Sequence, residues 1–155
     1  MKKILVEDKF VDFKGVERPF VVCGMIQSLE KSDWADYYDL KGGREEIKVT
    51  PTSVLSIGLS VCHESDLSKI KPEFGKQLAE GRAKKVRESA SVVMLINNDK
   101  FVTNKFLQDT VAGFVADLKY APGKYIKGYN DSEAKYHKKK EANKKAEKWN
   151  LIKLQ

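Results

Sequence analysis

The stretch Val54-Leu55-Ser56-Ile57-Gly58-Leu59-Ser60-Val61-Cys62 decides the fold of this 155-residue chain. Its large apolar residues alternate with serine or glycine, which is the two-residue period of a β-strand with one face on a core. The small residues of the opposite face, Ser56, Gly58 and Ser60, indicate that another element packs closely there. We therefore predict a strand at 54–62 with a second element near its small-residue face.

Segments on both sides of this strand predict the rest of one sheet. They contain alternating or continuous apolar residues, and the turn signal at 14–17 joins two of them in a hairpin. Together they predict an antiparallel sheet of four to six strands. The additional strand patterns lie at 3–6, 9–13, 19–26, 44–50 and 91–96.

Two helices are predicted to cover one face of the sheet, which makes the fold class α+β. The first spans 72–88 and begins with a proline in its first turn. The second spans 104–119, is capped by Thr103 or Asn104, and carries a wide apolar stripe. The segment 121–123, Ala-Pro-Gly, ends the second helix.

The net charge of the chain lies in its last quarter. Residues 119–155 contain 11 lysines and 4 acidic residues, which accounts for the formal charge of +7, whereas residues 1–118 contain 18 basic and 18 acidic residues. We predict a globular α+β domain at 1–120 and a basic helical C-terminal arm at 121–155, with a helix that begins near residue 131.

The lysines of the arm make nucleic acid the first candidate partner. On a helix, Lys140, Lys144 and Lys148 line one ridge, and cations in such a row neutralise phosphates with release of counterions. Tyr136 and Trp149 offer rings for stacking on unpaired bases. The arm has no arginine, which favours electrostatic contact without sequence preference. The predicted nucleic-acid-binding residues are Lys135, Lys138, Lys139, Lys140, Lys144, Lys145, Lys148 and Trp149.

Two other interpretations of the arm stay open. The lysines also suit an acidic protein surface, which we rank below nucleic acid. The helix also fits a plain solvated element that docks through Ala142, Ala146 and Trp149, with Glu141 and Lys145 as an i, i+4 pair.

An aromatic segment predicts contact with a protein. Trp34, Tyr37 and Tyr38 are interleaved with three aspartates, and this charge is wrong for phosphate. The alternative is a loop whose aromatic rings cover the core.

Arg82 is a further candidate for partner binding. It occupies the missing place in an apolar ridge of Phe74, Leu78 and Val86, where a guanidinium needs a carboxylate or carbonyl partner. Either Arg82 contacts an anion or partner, or it extends past the core edge and pairs with a nearby acid such as Glu64.

The sequence lacks a recognisable catalytic or metal-binding pattern. Cys62, His63 and Glu64 follow the strongest strand, but Cys23 and Cys62 have no motif spacing and no nucleophile–base pair is evident. We expect a non-catalytic protein without cofactor or metal. The apolar run at the N-terminus stops at Glu7, and no stretch approaches the ~18–20 residues that span a bilayer, so we expect no membrane contact and a cytoplasmic location.

The run from Ser56 to His63, followed by Glu73 to Ala83, resembles a strand–loop–helix segment of small uncharacterised bacteriophage proteins. The resemblance covers roughly 54–84 and implies a phage or mobile-element origin, with no activity to transfer. We therefore predict a non-catalytic binding protein that contacts nucleic acid through its lysine-rich C-terminal helix. The alternative is a protein–protein interaction module, either a virion component or an inhibitor of a host factor. The sequence does not indicate the oligomeric state.

Overall fold

A four-stranded antiparallel sheet carries the fold. The computed structural model describes residues 2–31, 51–63, 72–86, 89–97 and 99–154. The strands β1 (Lys2–Val11), β2 (Glu17–Ser28), β3 (Ser53–Val61) and β4 (Val92–Ile96) lie side by side in chain order. This confirms the predicted α+β class and the antiparallel sheet. The strand pattern at 44–50 lies outside the described residues.

β1 and β2 form the predicted hairpin, although β1 is one continuous strand rather than two segments. Their register runs from Lys2 opposite Ile26 to Val11 opposite Glu17. The Asp12 carboxylate closes the turn, because its Oδ1 accepts hydrogen bonds from the backbone N–H groups of Lys14 and Val16, each at 2.9 Å. Short polar side chains that bind the backbone two to four residues on are typical of such turns.

The two helices predicted at 72–88 and 104–119 cover opposite faces of the sheet, so the prediction that both cover one face was wrong. Helix α1 (Pro72–Lys84) packs on Val21, Cys23 and Met25 of β2. Helix α2 (Asn104–Tyr120) packs on the other face, where the alternate residues of β2 and β3 form the larger core. The central strands are buried on both sides because each face has its own helix.

β3 approaches α1 closely at Gly58, as the small residues of that strand predict. A Cβ atom at Gly58 would overlap the backbone of Ala79 and Ala83. Ser56, on the same face, donates a hydrogen bond from Oγ to the carbonyl oxygen of Ala83 at 2.7 Å. A larger side chain on this face of β3 would hold the helix away from the sheet.

α1 buries its smallest side chains rather than the predicted ridge. Ala79 and Ala83 are fully buried, whereas Phe74 is 58% exposed and Leu78 is half-buried. The close approach to β3 explains the difference, since only alanine fits between the helix axis and the sheet there. Val86, the third member of the predicted ridge, is buried beyond the end of the helix.

α2 matches its prediction closely. Thr103 caps it by accepting a hydrogen bond from the N–H of Phe106 at 3.1 Å. After Ala121 the chain makes one 3-10 turn at Pro122–Lys124, and the long helix α3 (Tyr129–Leu154) follows, starting two residues earlier than predicted. The buried residues of α2 are Leu107, Val111, Phe114, Val115 and Leu118.

Candidate nucleic-acid interface

Aromatic contacts fix the first two turns of α3 to the β1–β2 hairpin. Tyr129 is 7% exposed, and its ring centroid lies 6.1 Å from that of Phe10 and 5.3 Å from that of Phe13. Tyr136, two turns later on the same side of the helix, lies 5.4 Å from Phe13. Burial raises the pKa of Tyr129 above its ordinary value. The start of the helix is therefore part of the core.

The connector between α2 and α3 is held by a second set of contacts. Asp117 accepts hydrogen bonds from the hydroxyl of Tyr125 and from Nζ of Lys124, the latter at 2.9 Å. These two bonds, with that from Tyr125 the stronger, lower the pKa of Asp117. The ring of Tyr125 packs on Phe114 with 4.6 Å between centroids. The contacts orient the chain before α3 begins.

Beyond its anchored start, α3 has no buried face in the described part of the chain. Every side chain from 137 to 148 is exposed. Ala142 and Ala146 are among them, so the described residues do not dock the helix through those two alanines. Glu141 and Lys145 form no salt bridge there, in contrast to the i, i+4 pair considered from the sequence.

Most lysines of the sheet and its covering helices are ion-paired, in contrast to the described lysines of α3. Nζ of Lys3 lies 3.0 Å from Glu80, that of Lys9 lies 2.9 Å from Glu17, and Lys76, Lys84 and Lys119 also pair with carboxylates. Within the described side chains of α3, by contrast, no lysine forms an ion pair. Nζ of Lys140 lies 5.9 Å from the ring centroid of Tyr136. The close contact between a basic and an acidic side chain in this part of α3 joins Nε2 of His137 to Glu133 at 3.6 Å.

The exposed segment of α3 is consequently a row of uncompensated positive charge. It contains six lysines and two glutamates between 137 and 148. Lys140, Lys144 and Lys148 follow one another along one side at about 6 Å, given a rise of about 1.5 Å per residue. The remaining lysines of the segment, Lys138, Lys139 and Lys145, lie on other sides of the same turns, and Lys135 lies one turn earlier and is also exposed.

Tyr136 is not an open ring for base stacking. It is half-buried between Phe13 and two amines, with Nζ of Lys14 at 6.0 Å and that of Lys140 at 5.9 Å from its centroid. Sequence reasoning missed its structural role and that of Tyr129. The signal was present, because residues seven apart lie on one side of a helix.

The side chains of the other aromatic residues predicted to bind partners lie outside the described part of the structure. Trp34, Tyr37 and Tyr38 lie outside the described residues, and so does the side chain of Trp149, although its backbone belongs to α3. The structure therefore brings together the lysines of the predicted set and leaves its indole undescribed.

Arg82 lies away from α3, on the helix that covers the opposite face of the sheet. Its Nη1 donates a hydrogen bond to the carbonyl oxygen of Leu59 at 2.6 Å. Leu59 lies in β3 beyond the stretch 53–57 that pairs with β4. The guanidinium thus has the carbonyl partner that its position requires, while Glu64 lies outside the described residues.

The end of β3 contains a buried thiol beside an exposed imidazole. Cys62 is 6% exposed and His63 is exposed. Within the described ranges, no group of three or more histidine, cysteine, aspartate or glutamate side chains has the geometry to hold a metal ion.

The described helices are all too short or too polar to cross a membrane. Comparisons with protein-family models, with curated proteins and with solved structures each gave no match.

Proposed function

We propose that this is a non-catalytic binding protein that contacts nucleic acid through the exposed lysines of α3. The observation that supports the proposal is the difference in pairing between the two groups of lysines. Five of the seven lysines in the strands and in α1 and α2 pair with carboxylates, whereas the described lysines of α3 have no carboxylate partner.

The difference in pairing affects the free energy that each lysine contributes when it binds a phosphate. A lysine already in an ion pair has to give up that contact, so its net gain is small. An unpaired lysine gives up no ion pair when it binds a phosphate, and its binding releases the counterions condensed on the nucleic acid. The free energy of binding therefore favours the α3 segment over the ion-paired lysines of the sheet and its covering helices.

The fixed start of α3 favours the same function. Tyr129 and Tyr136 hold the helix against the hairpin, so its lysines are presented in a set direction and less conformational entropy is lost on binding. Since the segment lacks arginine, we expect affinity that depends on salt and little on base sequence.

The test is binding of the full chain to labelled single-stranded and double-stranded oligonucleotides over a salt series. We expect affinity to fall steeply between about 50 and 200 mM salt. The triple variant Lys140→Gln, Lys144→Gln and Lys148→Gln should reduce the slope of log affinity against log salt by about 2–3 on duplex DNA, because each lost phosphate contact contributes about 0.9.

A charge-matched control separates this from a general charge effect. The variant Lys9→Gln, Lys84→Gln and Lys119→Gln removes the same charge from lysines that are ion-paired in the structure. It should change the slope much less than the α3 variant. Equal losses in both variants, or no binding to either oligonucleotide at low salt, would overturn the proposal, and the second result would leave an acidic protein surface as the ligand to test.

A further inference from the structure

The odd-numbered residues of β1 direct their backbone groups away from β2. Within the described part of the chain, β1 pairs only with β2. The N–H of Asp12 donates to the carbonyl oxygen of Val16, its opposite residue, at 2.9 Å. Because opposing residues of antiparallel strands alternate between bonded and non-bonded pairs, the even residues of β1 bond to β2. The N–H and C=O groups of Lys3, Leu5 and Glu7 therefore point to the open edge.

Asp8 closes this edge at one end. Its Oδ1 accepts a hydrogen bond from the N–H of Lys9 at 2.7 Å, and its Oδ2 accepts one from Nζ of Lys119 at 3.1 Å. The N–H of Lys9 is thus occupied, and the segment open to another strand ends at residue 8.

Residues 2–8 of β1 match the same residues of a second copy in charge and hydrophobicity when the two segments run antiparallel. With Leu5 on the two-fold axis, opposite charges and apolar side chains face one another along the whole of 2–8. The bonded pairs are formed by odd residues, as the open edge requires. The opposing pairs are Lys2 with Asp8, Lys3 with Glu7, Ile4 with Val6, and Leu5 with its own copy.

The neighbouring registers do not have this property. A shift of two residues in one direction places Lys3 opposite Lys9, and like charges directly opposite are destabilising. A shift in the other direction places Lys2 opposite Val6 and Lys3 opposite Leu5, so both opposite-charge pairs are lost. The charge pattern therefore selects one register.

Ion pairs already present within the chain extend the match. On the face covered by α1, Nζ of Lys3 lies 3.0 Å from Glu80, and Nζ of Lys76 lies 3.2 Å from Glu7. Pairing with a second copy places the partner's Glu7 next to Lys3. Across the two paired β1 strands, the order of charges is then Glu80, Lys3, the partner's Glu7 and the partner's Lys76, which alternate in sign. Leu5, 37% exposed in the single chain, would be covered between them.

We propose that the protein forms a two-fold symmetric dimer in which residues 2–8 of β1 pair with the same residues of a second copy. The two four-stranded sheets become one continuous sheet of eight strands. Edge strands are ready templates for such pairing, and an isologous contact of this kind closes after two copies. The proposal does not depend on nucleic-acid binding, although a dimer would carry two α3 helices.

Disulfide cross-linking tests the register directly. Opposing residues of a bonded antiparallel pair lie about 5.5 Å apart at Cα, within the range that a disulfide bridges. A Leu5→Cys variant of the full chain should form an intermolecular disulfide under mild oxidation, and the native Cys23 and Cys62 are buried.

Val11→Cys is the matched control. Val11 lies on the same face of the same strand and is more exposed, at 61% against 37% for Leu5. In the proposed dimer the two copies of Val11 lie about 40 Å apart, given about 3.3 Å per residue along a strand. Random collision would cross-link Val11→Cys faster than Leu5→Cys, and that outcome would overturn the proposal.

Sedimentation over a concentration series gives an independent measurement. The wild-type chain should pass from monomer to dimer mass as concentration rises. Leu5→Pro should stay monomeric and keep the circular dichroism of the wild type, because it removes an edge N–H that β2 does not use. A wild-type chain that remains monomeric throughout, or a folded Leu5→Pro variant that still dimerises, would overturn the proposal.

Discussion

Ser56 donates a hydrogen bond to the carbonyl oxygen of Ala83 at 2.7 Å, and in doing so joins the middle of the sheet to the end of α1. The carbonyl groups of a last helical turn lack partners within the helix, so each needs one from elsewhere. This bond forms only because α1 lies almost on the backbone of β3. The absence of a side chain at Gly58 is what permits that distance.

Gly58→Ala should destabilise the protein severely. Its Cβ would overlap the backbone of Ala79 and Ala83, which cannot move aside as a flexible side chain does. We expect a loss of about 3 kcal/mol or more in the free energy of unfolding, at or above the top of the usual range for overpacked cores. Gly81→Ala on the same helix has open space around its Cβ and should stabilise by about 0.5–1 kcal/mol. Urea unfolding of both variants measures the contrast, and equal effects would contradict this packing.

The Cys23 thiol should be inert in the folded protein. Burial, aided by the charge of Glu80, raises its pKa to about 11. Since the thiolate is the reactive form, Cys23 should resist alkylation near pH 8 and react promptly in urea. Mass spectrometry of the alkylated peptides measures the extent of Cys23 labelling with and without urea. Rapid labelling of Cys23 without denaturant would contradict the buried environment.

The same shift should make stability depend on alkaline pH. Above pH ~8.5 the unfolded thiol loses its proton while the folded one keeps it, so the free energy of unfolding falls as pH rises. Wild type should lose up to about 2–3 kcal/mol more than Cys23→Ala by pH ~11, at about 1.4 kcal/mol per pKa unit. Parallel curves for the two proteins above pH ~9 would count against the shift.

The parts of the fold with a regular apolar period were predictable from the sequence. β3 and α2 each repeat their pattern over enough residues to identify both the element and its core-facing side. The small residues of β3 also indicated close packing on their face. They did not indicate which helix packs there. The prediction that both helices cover one face was wrong because β2 is apolar on both faces, and each face packs against its own helix.

Other features depended on contacts that no local pattern contains. The choice of Phe74 for the buried ridge of α1 followed hydrophobicity, whereas the close approach of β3 selects Ala79 and Ala83. The pairing of Lys119 with Asp8 joins residues far apart in the chain. The excess of lysine over acid in α3 was visible in the sequence. The pairing of the other lysines with distant carboxylates emerges only from the fold.

Acid should weaken the contacts that tie the helices to the sheet and the connector to α2. The pKa of Glu80 is lowered by its hydrogen bond with Lys3, that of Asp8 by the Lys9 backbone and Lys119, and that of Asp117 by Tyr125 and Lys124. A lowered pKa in the folded state adds stability above the unfolded value, near pH 4, and that contribution is lost as pH falls through the folded value.

Asp117→Asn should remove part of this acid dependence. The urea midpoint of the variant should fall less than that of the wild type between about pH 5 and pH 2. Asp109→Asn is the control, because Asp109 is an exposed residue of the same helix and makes no ion pair with any described side chain. If the two variants showed the same pH profile, Asp117 would not hold the connector as the structure indicates.

The first two turns of α3 should unfold separately from the sheet when the ring of Phe13 is removed. Phe13 contacts both Tyr129 and Tyr136, so Phe13→Ala leaves the first two turns without their main support. Because Phe13 is only half-buried, we expect a loss of about 1–3 kcal/mol, below the 3–5 kcal/mol of a fully buried phenylalanine. Hydrogen exchange should show lost protection around Tyr129 while β3 keeps its own. Phe101→Ala removes a half-exposed ring that contacts Phe106, which is not part of this aromatic anchor, and it should leave exchange around Tyr129 unchanged. Full protection at Tyr129 in Phe13→Ala would mean that the connector contacts of Asp117 suffice to hold the helix.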